Sequence, residues 1–119
     1  MYKFWGKVKK GLGRGRLLGF PTANIRLHKH IPEGVYFSKV KIKTRIFPSL
    51  TFVGRAKTFN EKLFQAESYI FLFKEALYNR WISIRLLKKI RQNKKFKNAQ
   101  GLVAQMRKDE KLAREFFNV

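Results

Sequence analysis

The chain contains no cysteine and only seven acidic residues, against 28 lysines and arginines. Without cysteine there are no disulfide bonds, thiolate zinc sites or cysteine nucleophiles. No segment approaches the roughly 18 apolar residues of a membrane-spanning helix, and residues 1–11 lack the apolar segment of a signal peptide. We therefore expect a soluble cytoplasmic protein with no membrane partner.

The excess of positive charge is the most unusual property of the composition. The formal net charge is +21, which attracts polyanions, with nucleic acid the first candidate and nucleotides or anionic membrane surfaces next. Hydrophobic residues make up 45% of the 119 residues, enough for one core. We expect one domain, residues 1–119, acting as a monomer. The charge alone indicates a class of partner and not a function.

Short apolar segments separated by turns predict a β-barrel or β-sandwich. The predicted strands are 2–8, 20–25, 38–46, 50–53, 65–73 and 81–87, with a turn at 32–34. Asn98 can cap a C-terminal helix, in which apolar residues recur at helical spacing. Asp109 interrupts that apolar face, so the segment forms either one helix or two short ones. The architecture we favour is a barrel with this helical segment packed on it.

Residues 11–19 contain four glycines and two arginines, Arg14 and Arg16. Backbone N–H groups in such a loop can bind phosphate, and the arginines add positive charge. The segment matches neither a P-loop nor the dinucleotide-binding fingerprint. A hairpin with solvated arginines is the plainer interpretation, which the loop by itself favours.

Three further residues have side chains suited to phosphate chemistry. Thr22 and Asn24 are two residues apart, so in a strand they point the same way, and their oxygens can bind a hard cation such as Mg²⁺. A strand that ends in a turn is the alternative. Glu67 lies on an otherwise apolar strand face, where a carboxylate is costly to bury without a partner but can act as a general base. The alternative interpretation of Glu67 is a carboxylate that forms an ion pair with a nearby lysine or arginine.

Residues 11–24, GLGRGRLLGFPTAN, resemble the signature of riboflavin kinases. The segments 34–36, 66–70, 73–78, 90–96 and 102–109 are similar to later motifs of that family, in the same order. The resemblance implies a six-stranded antiparallel Greek-key barrel with a C-terminal helix. It also implies transfer of the γ-phosphate of ATP to the ribityl 5′-hydroxyl of riboflavin, which yields FMN and ADP.

The same resemblance implies roles for individual residues. Glu67 would be the catalytic base, and Thr22 and Asn24 would bind Mg²⁺, or Zn²⁺ or Mn²⁺ in its place. The flavin would be bound by Arg91, in a mobile loop, and by Phe96. The nucleotide and its phosphates would be bound by Gly11, Arg16, Gly19, Pro21 and Tyr78.

The chain also departs from the family pattern. Residues 54–59, GRAKTF, replace G-x-x-P-T-[FY], Asn79 replaces a glycine, and Asn93 replaces an acidic residue. These changes affect turns and flavin-side loops more than the phosphate site. The His-x-Gly-His motif of the adenylyltransferase domain found in bacterial members is absent, so the chain is either a stand-alone kinase, which we favour, or an excised kinase module. The alternative function is a basic nucleic-acid-binding barrel without kinase activity, which the net charge favours.

Overall fold

A computed structural model describes residues 2–9, 21–58, 61–75 and 77–119. They form six β-strands and one α-helix. The strands are β1 (Lys3–Lys7), β2 (Thr22–Arg26), β3 (Gly34–Ile42), β4 (Arg45–Thr58), β5 (Glu61–Ile70) and β6 (Trp81–Arg91). The helix is α1 (Ala99–Phe117).

The strands form one antiparallel sheet in the order β1-β6-β3-β4-β5-β2. The two edge strands approach each other, because the Lys9 N–H donates to the Asn24 carbonyl at 2.7 Å just beyond β1. The sheet is therefore a nearly closed barrel. The predicted six-stranded antiparallel barrel with a C-terminal helix is confirmed.

Side-chain alternation along the strands produces two separate apolar layers. One fills the barrel and includes Val40, Ala66 and Ile84, each fully buried. The other lies between the outer barrel wall and α1, where Met106 and Ala113 of the helix cover apolar residues of the strands and of the turn after β5. These are Val35, Phe37, Leu50, Tyr69 and Phe71. The helix thus covers only one side of the barrel wall.

The predicted strand 38–46 is wrong, because it contains a turn. Strand β3 ends at Ile42, and Lys43 adopts a positive φ of 56° before β4 begins. The turn reverses which residues face inward, so Ile46 is exposed and Phe47 is buried. Neither Lys43 nor Thr44 is a typical turn residue. The alternation of basic and other residues along the sequence therefore continues through the turn and does not reveal it. The predicted strand 50–53 is likewise only the middle of the 14-residue β4, which continues past Gly54.

The segment 32–34, predicted as a turn, has no assigned turn: residues 32 and 33 are irregular, and Gly34 is the first residue of β3. Gly34 has a φ of 151°, and a Cβ there would lie 2.9 Å from the carbonyl oxygen of Arg91, so only glycine fits. The Tyr36 hydroxyl donates to the Pro32 carbonyl at 2.5 Å. Burial raises the pKa of the Tyr36 phenol.

The C-terminal segment is a single helix, which is the first of the two predicted alternatives. Asn98 is the N-cap, as predicted, and its side chain accepts a hydrogen bond from the Gly101 N–H at 2.9 Å. Asp109 does not divide the helix, because it is fully buried and paired with Arg91 of β6. Among the described residues, no helix is long and apolar enough to cross a membrane.

Candidate active site

The pairing of β2, β5 and β4 brings the predicted base and one predicted metal ligand into one row. Asn24 is directly opposite Glu67, and Glu67 is directly opposite Phe52. In the next row along the strands, Thr22 is opposite Tyr69. Because alternate residues share a face, all five side chains lie on the outer face of the barrel wall. The structure therefore brings Thr22, Asn24 and Glu67 together.

The Glu67 side chain is buried and has a defined neighbour. Glu67 is 1% exposed, and its Oε1 accepts a hydrogen bond from the Tyr69 hydroxyl at 3.1 Å. The Tyr69 ring in turn packs on the Phe52 ring, with centroids 4.9 Å apart. This packing limits the movement of the Tyr69 hydroxyl, so the carboxylate is held in one orientation. Tyr69 was not predicted as a site residue, although its spacing of two from Glu67 puts it on the same face.

Asn24 is buried, yet neither polar atom of its side chain has a hydrogen-bond partner among the described residues. A buried amide without a hydrogen-bond partner lowers the stability of the fold by about 1–3 kcal/mol relative to a paired one. Hydroxyls buried elsewhere in the barrel do pair: the Thr51 hydroxyl is 2.7 Å from those of both Ser38 and Ser68. Buried unpaired groups in proteins are rare and often mark a ligand site.

A cleft of about 300 Å³ lies beside this row. Phe52 belongs to both, since it is opposite Glu67 and also lines the cleft. Predicted flavin-side residues Arg91 and Phe96 line the same cleft. The other lining residues are Glu33, Val53, Gly54, Arg55, Gln65, Asn93, Lys94 and Leu102. The structure thus brings the two predicted flavin-binding residues together, next to the predicted base.

Arg91 is not in a loop, which corrects one part of the prediction. It is the last residue of β6, and its guanidinium makes a two-point ion pair with Asp109 of α1. Nε donates to Oδ1 at 2.9 Å and Nη2 donates to Oδ2 at 2.7 Å. Gln105 also donates to Asp109 Oδ1, at 3.1 Å. The ion pair joins the helix to the barrel wall at the cleft, with the guanidinium carbon 5.7 Å from the Phe52 ring centroid. Sequence analysis missed this role of Asp109.

Asn93 replaces an acidic residue of the family pattern, and the structure shows what it does. Its side-chain N–H donates to the Val53 carbonyl at 3.0 Å. A Cβ on Gly54 would lie 2.8 Å from the same nitrogen, so the absence of a side chain at Gly54 makes room for this contact. Asn93 therefore fixes the segment after β6 against β4 at the edge of the cleft.

The predicted nucleotide-binding residues are only partly visible. Gly11, Arg16 and Gly19 lie outside the described residues. The Pro21 carbonyl accepts a hydrogen bond from the Ile70 N–H at 3.1 Å, which fixes the start of β2 on β5. Tyr78 is 45% exposed, in a turn whose next residue, Asn79, donates to the Val8 carbonyl at 2.9 Å. Tyr78 therefore lies near the end of β1, where the chain enters the segment 10–20.

No group of three or more His, Cys, Asp or Glu side chains suited to a metal is present in the described parts of the chain. A divalent ion here would therefore need ligands of another kind, such as hydroxyl and amide oxygens. Mg²⁺ is commonly bound by one or two protein ligands together with waters and phosphate oxygens of the substrate. The unpaired amide of Asn24, with Thr22 on the same face, fits that pattern.

Comparisons with known proteins identify the family of the chain. A family model described as flavokinase, riboflavin kinase, matches residues 1–117. The bifunctional riboflavin kinase/FMN adenylyltransferase of Haemophilus influenzae is 37% identical over 120 residues, covering 98% of this chain and 39% of that protein. The chain thus spans about two fifths of that relative.

Two solved structures resemble the chain. The riboflavin kinase of Trypanosoma brucei superposes with a TM-score of 0.64 and 25% identity, covering 98% of this chain and 79% of that one. A Streptococcus pneumoniae protein described as a macrolide-efflux protein superposes with a TM-score of 0.80 and 33% identity, covering 94% of this chain and 38% of that one. From the family match over residues 1–117, the chain belongs to the riboflavin kinase family.

Proposed function

We propose that the chain transfers the γ-phosphoryl group of ATP to the ribityl 5′-hydroxyl of riboflavin, which yields FMN and ADP. The observation that carries this proposal is the cross-strand pair of a buried carboxylate, Glu67, and a buried unpaired amide, Asn24, beside a cleft. Phosphoryl transfer requires a base for the attacking hydroxyl, a cation for the phosphates and a fixed geometry. Membership of the riboflavin kinase family supports the same reaction.

Glu67 is the proposed general base. Its carboxylate takes the proton of the 5′-hydroxyl while the hydroxyl oxygen attacks the γ-phosphorus, and the bond from that phosphorus to the β,γ-bridging oxygen of ATP breaks. The Tyr69 hydroxyl holds one carboxylate oxygen at 3.1 Å. In this scheme Tyr69 is a positioning residue, because it acts through Glu67.

Thr22 and Asn24 are the proposed ligands of Mg²⁺, or of Zn²⁺ or Mn²⁺ in its place. Such an ion, when bound, reduces the repulsion between the phosphates and the attacking oxygen. The unpaired Asn24 amide supports this role, since its oxygen has no hydrogen-bond partner among the described residues. The amide lies opposite Glu67, so the phosphates would be held next to the base.

The cleft lined by Phe52, Arg91 and Phe96 is the proposed flavin site. Its volume of about 300 Å³ is at the lower end for a small-molecule pocket, and aromatic side chains form part of its lining. Arg91 holds the wall of the cleft through Asp109. Gly11, Arg16, Gly19, Pro21 and Tyr78 remain the proposed contacts of the nucleotide. A monomer in the cytoplasm, formed by one domain of residues 1–119, also stays a prediction.

The direct test is synthesis of FMN from riboflavin, ATP and Mg²⁺, with the product separated by chromatography. Glu67→Gln keeps the size of the side chain and removes the base, so kcat should fall by about 10²–10⁴-fold. Glu75→Gln is the matched control, because Glu75 is an exposed carboxylate paired only loosely with Arg80 at 3.7 Å. Equal rates for wild type and Glu67→Gln would exclude Glu67 as the base. No FMN from the wild-type chain with any of the three metals would refute the kinase.

The alternative of a barrel without kinase activity has less support. It explains the net charge but gives no reason for a buried carboxylate opposite an unpaired amide. Membership of the riboflavin kinase family also favours the kinase. The charge nevertheless needs an explanation of its own.

A further inference from the structure

The outer barrel wall has a second face, formed by β1, β6 and β3. It differs from the face of β2, β5 and β4 that bears Asn24, Glu67 and Phe52, which we call the active-site face. Eight side chains point outward on the second face, and we call this surface the tryptophan face. It consists of Lys3, Trp5 and Lys7 of β1, Trp81, Ser83 and Arg85 of β6, and Lys39 and Lys41 of β3. In the sequence, these three strands contain no acidic residue. The face is therefore uniformly positive.

Strand register orders these side chains into rows. Arg85 is directly opposite Lys3 on one side and Lys39 on the other, which gives a row of three cations. The two tryptophans are diagonal neighbours, because Trp5 is opposite Ser83 while Trp81 is opposite Lys7. Diagonal positions in a sheet are about 7–8 Å apart. The two tryptophans thus occupy neighbouring positions on the outer sheet surface, with cations around them.

Both rings are unusually exposed. Trp5 is 68% exposed and Trp81 is 65% exposed, although tryptophan is mostly buried in soluble proteins. Exposed indole rings set among lysines and arginines are not explained by folding, since helix α1 covers the other side of the wall. Such a combination indicates a binding surface.

A small pocket continues this face beyond β1. It has a volume of about 250 Å³ and is lined by Phe4, Trp5, Arg26, Leu27, His28 and Lys29. The Lys29 ammonium donates to the Lys3 carbonyl at 2.7 Å, which holds this loop against β1. An aromatic ring and basic side chains therefore surround a cavity large enough for a planar group.

We propose that the tryptophan face binds single-stranded nucleic acid. Bases stack on Trp5 and Trp81, and phosphates lie along the row of Lys3, Arg85 and Lys39. A sheet surface with exposed rings favours a single strand over a duplex, because duplex bases are already stacked. An anionic membrane would also satisfy the charge, but it gives no reason for a pocket with an aromatic wall. This surface is separate from the proposed kinase site and does not depend on it.

The chain provides its own probe of this face, because Trp5 and Trp81 are its only tryptophans. We would titrate the protein with a 12-nucleotide oligouridylate and follow tryptophan fluorescence at several salt concentrations. Stacking should quench the fluorescence, and the affinity should fall as salt rises. An RNA duplex of the same length should bind more weakly. Tryptophan fluorescence that is unchanged by the oligouridylate would refute the proposal.

Variants separate this face from general attraction to a basic protein. Binding of a dye-labelled oligouridylate should weaken by at least about 30-fold in Trp5→Ala/Trp81→Ala, the lower end for the loss of two stacked bases. Trp5→Phe/Trp81→Phe should restore most of the affinity, since the rings can still stack. Equal affinities of the wild type and the alanine double variant would contradict stacking.

A second pair of variants tests the row of cations. Lys39→Gln/Arg85→Gln should reduce the slope of log affinity against log salt by about 1.4, because two phosphate contacts are lost. Lys108→Gln/Lys111→Gln removes the same charge from exposed positions of α1 and should change the slope little. Equal effects of the two pairs would overturn the proposal. Binding of phosphatidylserine vesicles but not of the oligouridylate would overturn it in favour of a membrane.

Discussion

The two outer faces of the barrel wall differ in what covers them and in which charges they contain. The active-site face contains the buried carboxyl-bearing residue Glu67, and α1, which lies beside it, contributes a second, Asp109. The tryptophan face contains cations and exposed rings, and the described residues leave it open. Both arise from the same alternation of side chains along antiparallel strands. The comparison shows that one barrel wall can bury polar groups on one side and expose aromatic groups on the other.

The largest effect we expect concerns the attachment of α1 to the active-site face. Asp109 is 1% exposed as a side chain and Arg91 is 13% exposed, so their ion pair is largely shielded from water. Asp109→Ala leaves the guanidinium without its partner and should lower the free energy of unfolding by about 3–5 kcal/mol. Chemical denaturation monitored by circular dichroism measures this loss.

The control for Asp109 lies on the same helix. Glu110 pairs with Arg114, but these side chains are more exposed, at 20% and 40%. Glu110→Gln should therefore lower the free energy of unfolding by less than about 1 kcal/mol. Similar losses for the two variants would mean that apolar packing alone attaches the helix.

The second prediction concerns the unpaired amide of Asn24. Asn24→Leu removes a buried polar group that has no partner among the described residues, so the free energy of unfolding should stay the same or rise. FMN formation should nevertheless fall by about 100-fold or more, since a proposed metal ligand is lost. Thermal unfolding and the FMN assay, done on the same preparation, measure both.

Thr51→Val is the counterpart for a buried polar group that is paired. Its hydroxyl lies 2.7 Å from those of Ser38 and Ser68, so its loss leaves both with fewer partners and should destabilise the barrel by about 1–3 kcal/mol. If Asn24→Leu destabilises the protein as much as Thr51→Val, then Asn24 has a structural role instead.

The sequence predicted most of the barrel, because the strand faces depend on local alternation of apolar and polar residues. It could not locate the turn at Lys43, since alternation continues through that turn and no glycine or asparagine marks it. The candidate site residues Thr22, Asn24 and Glu67 were predicted from residue type and motif, and their roles stay predictions. Asp109 was read only as a break in the apolar face, because its partner Arg91 is 18 residues away. Contacts between distant segments of this kind are not encoded in local patterns.

The smallest expected effect is on stability at the tryptophan face. If the rings are exposed for binding, they contribute little to folding, so Trp5→Ala and Trp81→Ala should each change the free energy of unfolding by less than about 1 kcal/mol. FMN formation should also be unchanged, since neither residue touches the proposed kinase site. Denaturation curves and the FMN assay on the single variants measure these effects. A loss of 2 kcal/mol or more, about twice that bound, would show that the rings hold the barrel together and are not free to bind a base.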